Sequence, residues 1–251
     1  MSRGAVPHWV RLSVFVLTCA FVLSSCGGAQ EPTAAPSGSR AVTFASRDGI
    51  TLQGRLFGAG TTAVVLSHML PADQRSWFEF AERLADQGYL VLTYDFRGYC
   101  PGGVGGCSGG ERDISAIWQD VLGASDLVRS RGATNVALVG ASMGGTASLV
   151  AAAEEGAGVD VIVTLSAPIA IEGLVADPQL LQRVSANKLF IAGVGDASAA
   201  AAAEELYATA PPPKRVEIVP ADDHGTDLLS GPQGEVVRRL IETYLAQFAP
   251  A

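Results

Sequence analysis

The chain has 251 residues, 48% of them hydrophobic and 17% charged, and its 25 acidic residues against 17 basic ones give a net charge of −8. That apolar share suits a globular protein with a large buried core, and the length admits one large domain or two small ones. The acidic balance, with no block of lysine or arginine anywhere, excludes a phosphate-backbone partner, and nucleic-acid binding is set aside.

Residues 1–25 read as a targeting segment. Arg3 and Arg11 give a positive start, and LSVFVLTCAFVL (12–23) follows as an apolar run too short to span a bilayer comfortably. Leu23-Ser24-Ser25-Cys26 then sets small side chains just before a cysteine. This stretch resembles the lipobox of bacterial lipoproteins. The resemblance implies cleavage before Cys26, lipidation of Cys26 (palmitate among the acyl chains) and attachment to the extracytoplasmic face of a bacterial cell membrane. Two or more acyl chains anchor stably where one does not. An ordinary cleaved signal peptide and an uncleaved anchor are the alternatives. Residues 26–40 include GGAQEPTAAPSGS, small, polar and proline-bearing, as expected of a flexible tether. Removing residues 1–25 discards Arg3 and Arg11 and no acid, so the mature chain stays acidic.

The cysteines follow from this reading. Cys19 lies in the discarded segment and Cys26 carries lipid, which leaves Cys100 and Cys107 in a compartment where disulfides persist. They flank the short loop PGGVGG, and a disulfide is expected between them. A metal-ligating pair is the alternative, but no histidine or second cysteine pair lies near.

Residues 41–251 form the expected folded domain. AVTFAS and ITLQGRLF predict an opening hairpin around Asp48-Gly49. AVVLS (63–67) is a buried strand. SWFEFAERLADQG (76–88) has helical spacing of Trp77, Phe80, Ala81 and Leu84 and ends at Gly88. YLVLTY (89–94) predicts a strand, residues 111–132 a helix, and NVALVG (135–140) a strand with a helix after Ser142. VDVIVTLS (159–166) is the next strand, and a short helix is expected around 172–184. KLFIAG (188–193), a helix over 198–209, RVEIVP (215–220) and a closing helix over 235–248 complete the pattern. Apolar strands separated by amphipathic helices indicate one α/β domain, a mostly parallel eight-stranded sheet with helices on both faces.

In such a sheet, sites form just past the strand C-termini. Ser142 sits there, inside Gly140-Ala141-Ser142-Met143-Gly144, a G-x-S-x-G turn between a strand and a helix. So tight a turn needs small residues two before and two after the serine. The alternative is a small residue in a glycine-rich loop. A serine hydroxyl needs a general base, for which histidine is suited, and beyond His8 of the leader only His68 and His224 exist.

The strand–turn–helix around Ser142 resembles the nucleophile elbow of the α/β-hydrolases, and the resemblance covers about residues 41–248. It implies an α/β-hydrolase fold and a chain order of serine, acid, histidine, which selects His224, in PADDHGTDLL after the last strand. KLFIAGVGDAS matches the family's strand–Gly-x-x-Asp pattern and implies Asp196 as the acid; Asp222, Asp223 and Asp177 are rivals. The resemblance also implies an oxyanion hole from the backbone N–H of Met143 and one from the loop after the third strand. There His68 matches a family histidine, Met69 replaces the usual glycine, and Leu70 aligns with the donor, with Met69 as fallback. Asp95, Arg97 and Gly98 match a loop-ordering motif that Ser108-Gly109 resumes after the cysteine loop.

These residues imply acyl transfer to water through a serine-bound intermediate, with a small-molecule or lipid ester as substrate. Only about twenty residues separate the sixth and seventh strands, too few for a large lid, so an open site suited to short acyl groups is expected. Carboxylesterase is the first reading. Thioesterase, amidase and peptidase share the chemistry, and a catalytically silent binding lipoprotein is the rival from another class. No H-E-x-x-H and no G-x-G-x-x-G after the first strand occur, so neither a metal nor a dinucleotide cofactor is expected.

Overall fold

The computed structural model describes residues 36–100, 107–155 and 158–251. The expected leader, Cys26 and the first part of the tether therefore lie outside the described residues. The chain runs through β1 (Arg40–Ala45), β2 (Thr51–Phe57), β3 (Thr62–Ser67), α1 (Phe78–Ala85), β4 (Leu90–Asp95), α2 (Trp118–Ser130), β5 (Asn135–Ala141) and α3 (Met143–Glu155). It continues through β6 (Val161–Leu165), β7 (Ala170–Ile171), β8 (Leu174–Val175), α4 (Pro178–Leu181), β9 (Asn187–Gly193), α5 (Ala197–Thr209), β10 (Lys214–Val219) and α6 (Gly234–Phe248).

Eight of these strands form one sheet in the order β1-β2-β4-β3-β5-β6-β9-β10. The β1–β2 hairpin is antiparallel and β2 joins β4 antiparallel; every later pairing is parallel. The fold class expected from the sequence is the one observed. Successive residues of a strand face opposite sides, and β3 shows the result. Ala63 and Val65 join a core with residues of α2, α3 and α5 such as Val121, Ala147 and Leu206, while Val64 and Leu66 join another with Phe80, Leu84, Val237 and Ile241 of α1 and α6. Burying each such Val or Leu contributes about 1.5–3 kcal/mol.

The register aligns the strand ends. Ser67 pairs with Gly140, Ala141 with Leu165, and Leu165 with Ile191. Residues 68, 142 and 166 thus emerge together at one sheet edge, and the segment after β9 follows beside them.

Two expected helices differ. The helix expected over 111–132 begins at Trp118, after a 3-10 turn at Ile114–Ala116 whose Asp113 side chain accepts from Ser115 N–H at 3.1 Å. Residues 111–112 are held otherwise. Gly98, at φ 72°, packs so closely on them that an added Cβ would sit 2.7 Å from Arg112 Cα. The helix expected around 172–184 shrinks to α4, capped by Asp177 accepting Leu180 N–H at 2.8 Å. Glu172 and Gly173, with φ 42° and 87°, instead make the turn of the small β7–β8 hairpin. Two successive positive φ values are what a two-residue hairpin turn requires.

Candidate active site

Ser142 stands between β5 and α3 at φ 49°, a left-handed conformation that costs an L-residue about 1–2 kcal/mol. Its neighbours hold it there. Ser142 N–H donates to Leu165 O at 2.8 Å, and Gly145 N–H to Ser142 O at 2.9 Å. A Cβ at Gly140 would fall within 2.6 Å of Gly145 N and closer still to the Gly144 carbonyl; one at Gly144 would meet the His68 carbonyl at 2.6 Å. Small residues at both positions are therefore a steric requirement of the turn.

Asp196 follows β9 and caps α5, accepting at Oδ1 from Ala199 N–H at 3.4 Å and Ser198 Oγ–H at 3.3 Å. Its Oδ2 lies 2.5 Å from His224 Nδ1. A carboxylate only accepts, so Nδ1 carries the proton and Nε2 is left as the basic nitrogen. His224 sits on the loop between β10 and α6, just before a 3-10 turn at Gly225–Leu229. The rival acids lie elsewhere: Asp177 caps α4, Asp222 packs against Gly195, and Asp223 packs against Gly231. Ser142 and His224 line one cavity of about 240 Å³ with Ser166, Pro168, Ser198 and Ala199. Among the described residues Ser142 Oγ makes no hydrogen bond.

His68 has a different environment. It is fully buried; Phe96 N–H donates to its Nε2 at 3.1 Å, and its Nδ1–H donates to Met69 O at 2.9 Å. Burial pushes its pKa down to about 4. With both nitrogens engaged and the ring neutral, it orders the loop after β3. Met69 and Leu70 follow in that loop, and Met143 opens α3. Among the described residues the backbone N–H groups of Met69, Leu70 and Met143 donate to no partner. The first N–H groups of a helix have no intrahelical partner, which leaves Met143 N–H at the serine turn, and the register sets the loop carrying Met69 and Leu70 beside it. Met69 has a second contact: its sulfur fills the space where a Cβ of Gly225, at φ 57°, would stand. The residue replacing the family glycine thus packs directly behind the histidine.

Below the site, the Arg97 guanidinium is clamped by Asp120 at 2.6 Å and Asp48 at 2.7 Å. Ser108 Oγ–H donates to Asp95 O at 2.6 Å and accepts Gln53 N–H at 3.0 Å, while Gly98 N–H donates to Gly109 O at 2.9 Å. Cys100 and Cys107 are joined by a disulfide. Burial pushes the Asp95 carboxyl up to about 7 although it accepts from Gln74 N–H at 3.0 Å. Among the described residues no group of three or more His, Cys, Asp and Glu is placed to hold a metal ion.

The cavity walls were not picked out by motif. Ser166, Pro168 and Ser198 lie 24, 26 and 56 residues from Ser142 in the chain. The available signal was positional: Ser166 directly follows an apolar strand, at the sheet edge where sites gather.

A mostly parallel sheet with a strained serine after β5 and an Asp–His pair after β9 and β10 defines the class, an α/β-hydrolase. A family model described as serine aminopeptidase, S33 (Hydrolase_4), matches residues 60–219, well over half of the chain, and the protein belongs to that family of hydrolases. Over 84% of its length the chain is 24% identical to the protein YfhR of Escherichia coli O157:H7, described as uncharacterized, covering 81% of it. An esterase of Pyrococcus furiosus superposes with a TM-score of 0.68 at 18% identity, over 84% of this chain and 92% of that one. The dienelactone hydrolase of Anabaena variabilis gives 0.68 at 22% identity, over 84% and 99%. The enol-lactonase of Burkholderia xenovorans LB400 gives 0.65 at 18%, over 81% and 99%. At these identities the likeness is one of fold.

Proposed function

We propose that this hydrolase cleaves small carboxylic esters through an acyl-enzyme on Ser142. Ser142 Oγ attacks the carbonyl carbon while His224 Nε2 takes its proton, and the resulting imidazolium is stabilised by ionised Asp196. The tetrahedral oxyanion accepts from Met143 N–H and from Leu70 or Met69 N–H. The intermediate collapses, the alcohol leaves with the proton from His224, and a water activated by the same nitrogen releases the acid and restores the serine. The observation that carries this reading is the Asp196–His224 hydrogen bond of 2.5 Å opening into the cavity that the strained Ser142 also lines.

Two observations favour small esters over peptides. Between β6 and β9 the chain holds only the β7–β8 hairpin and α4, leaving no element large enough to act as a lid. Among the described residues the cavity is walled by serines, Pro168, Ala199 and His224 and by no carboxylate, so these offer no partner for the free ammonium of an aminopeptidase substrate. The esterase and lactonase names among the structural neighbours agree with this reading. We place the enzyme on the extracytoplasmic face of a cell membrane, held through lipid on Cys26, on the strength of the lipobox resemblance.

The test compares p-nitrophenyl acetate, butyrate and octanoate with a thioester and an aminoacyl p-nitroanilide, for the protein and its Ser142→Ala variant. Hydrolysis strongest on the short esters and abolished in the variant is expected. Inertness towards every substrate would leave the silent binding lipoprotein as the better account, and preference for the anilide or the thioester would move the activity to a peptidase or a thioesterase.

A further inference from the structure

Three non-glycine residues among those described have positive φ, and two of them, Ser142 and Ser166, line the same cavity. Ser166 follows β6 at φ 53° and is 1% exposed. Its turn is fixed from three sides. Ser166 N–H donates to Ile191 O at 2.8 Å, Thr146 Oγ–H to Pro168 O at 2.6 Å, and Ala167 Cβ lies where a Cβ on Gly145 would approach it to 2.8 Å. Yet the Ser166 hydroxyl is buried and, among the described residues, has no hydrogen-bond partner. Buried hydroxyls are nearly always paired, and strain held at a site border marks a position under functional demand. Among the described residues no hydrogen bond joins Ser166 Oγ to Ser142 or His224 across the cavity; Ser198 turns its hydroxyl to Asp196, and Pro168 and Ala199 bring no side-chain polar atom.

We propose that Ser166 determines specificity by hydrogen-bonding a hydroxyl that the substrate carries beside its scissile ester. The preferred substrates are then small hydroxylated esters, and apolar esters of equal size are the poorer ones. A serine hydroxyl both donates and accepts, so a substrate hydroxyl satisfies it in either sense. An apolar group in the same place leaves Ser166 Oγ buried and unpaired, and that difference is worth about tenfold in kcat/KM. This inference rests on the ester-hydrolase reading above and adds the chemical class of the substrate.

Two isosteric ester pairs test it. Ethyl glycolate against ethyl propionate places the hydroxyl on the acyl side, and 2-hydroxyethyl acetate against propyl acetate places it on the alcohol side. Proton release is titrated for the protein and for Ser166→Ala and Ser166→Gly, the second of which relaxes the backbone at φ 53°. The readout is the kcat/KM ratio within each pair, in which any general loss of activity cancels. In at least one pair the ratio should fall about tenfold in both variants, and the pair that responds identifies the side of the ester. Ratios unchanged within twofold in both pairs, with all four esters cleaved, overturn the assignment of Ser166 and leave the esterase reading intact. No cleavage by the unsubstituted protein, together with an unlabelled Ser142 after fluorophosphonate treatment, overturns both.

Discussion

Gly140→Ala places one methyl group inside the serine turn. Its Cβ would lie within 2.6 Å of Gly145 N and closer still to the Gly144 carbonyl, where ordinary contact begins at 3.4 Å. Both obstacles are backbone, so no side chain can swing aside. The first turn of α3 has nowhere to retreat, because Gly144 already abuts the Ser67 and His68 carbonyls and Gly145 abuts Ala167. The turn must therefore shift by about 1 Å, a displacement that costs about 100-fold in rate when it misaligns reacting groups. The strain itself costs about 1–3 kcal/mol. The assay is kcat/KM on p-nitrophenyl acetate alongside thermal unfolding. We expect a loss of about two orders of magnitude with a Tm lowered by several degrees. A variant with full activity and an unchanged Tm would refute the steric reasoning.

Asp196→Asn removes the acceptor that fixes the His224 tautomer, and kcat should fall by about 10⁴-fold with little change in Tm; a loss under tenfold contradicts that role. Gly225→Ala drives a methyl into the Met69 sulfur, so it should lower both activity and stability, and Met69→Ala in the same chain should restore part of the activity. Asp120→Asn leaves the buried Arg97 guanidinium short of a charge partner and should cost about 3–5 kcal/mol in urea unfolding, an effect under 1 kcal/mol being the contrary result. His68 titrates near 6.5 when unfolded and near 4 when folded. Between those values the unfolded chain binds the proton and the folded one does not, so the stability His68 confers is complete above pH 6.5 and is lost as pH falls to 4, by about 3 kcal/mol. The difference in unfolding free energy between the protein and a His68→Asn variant, followed from pH 8 to pH 4, should show that slope, and a flat difference would contradict the buried neutral imidazole.

Much of the fold was legible because local pattern and tertiary role coincide. The apolar runs at 63–67, 135–140 and 188–193 are buried on both faces of the sheet, so nothing but a central strand suits them, and β3, β5 and β9 occupy those places. Ser142 was legible because the glycines that permit the turn are its own sequence neighbours. Residues 111–117 were misread because their polar and apolar spacing imitates helix, while the close approach of Gly98 that keeps 111–112 out of α2 is a tertiary contact. Glu172-Gly173 did carry a turn signal, which the helical spacing around it concealed. The strand order, with β4 inserted between β2 and β3, and the cavity walls at Ser166, Pro168 and Ser198 follow from register between strands distant in the chain. Spacing along the sequence does not encode them.

The proposed hydrolysis requires Ser142 to be an activated nucleophile. Treating the protein with a fluorophosphonate and mapping the adduct by peptide mass spectrometry tests it most directly. One adduct per chain is expected, on Ser142, absent from the Ser142→Ala variant and greatly slowed in His224→Ala. An unlabelled Ser142 in a folded protein, or an adduct that forms as fast without His224, would contradict it.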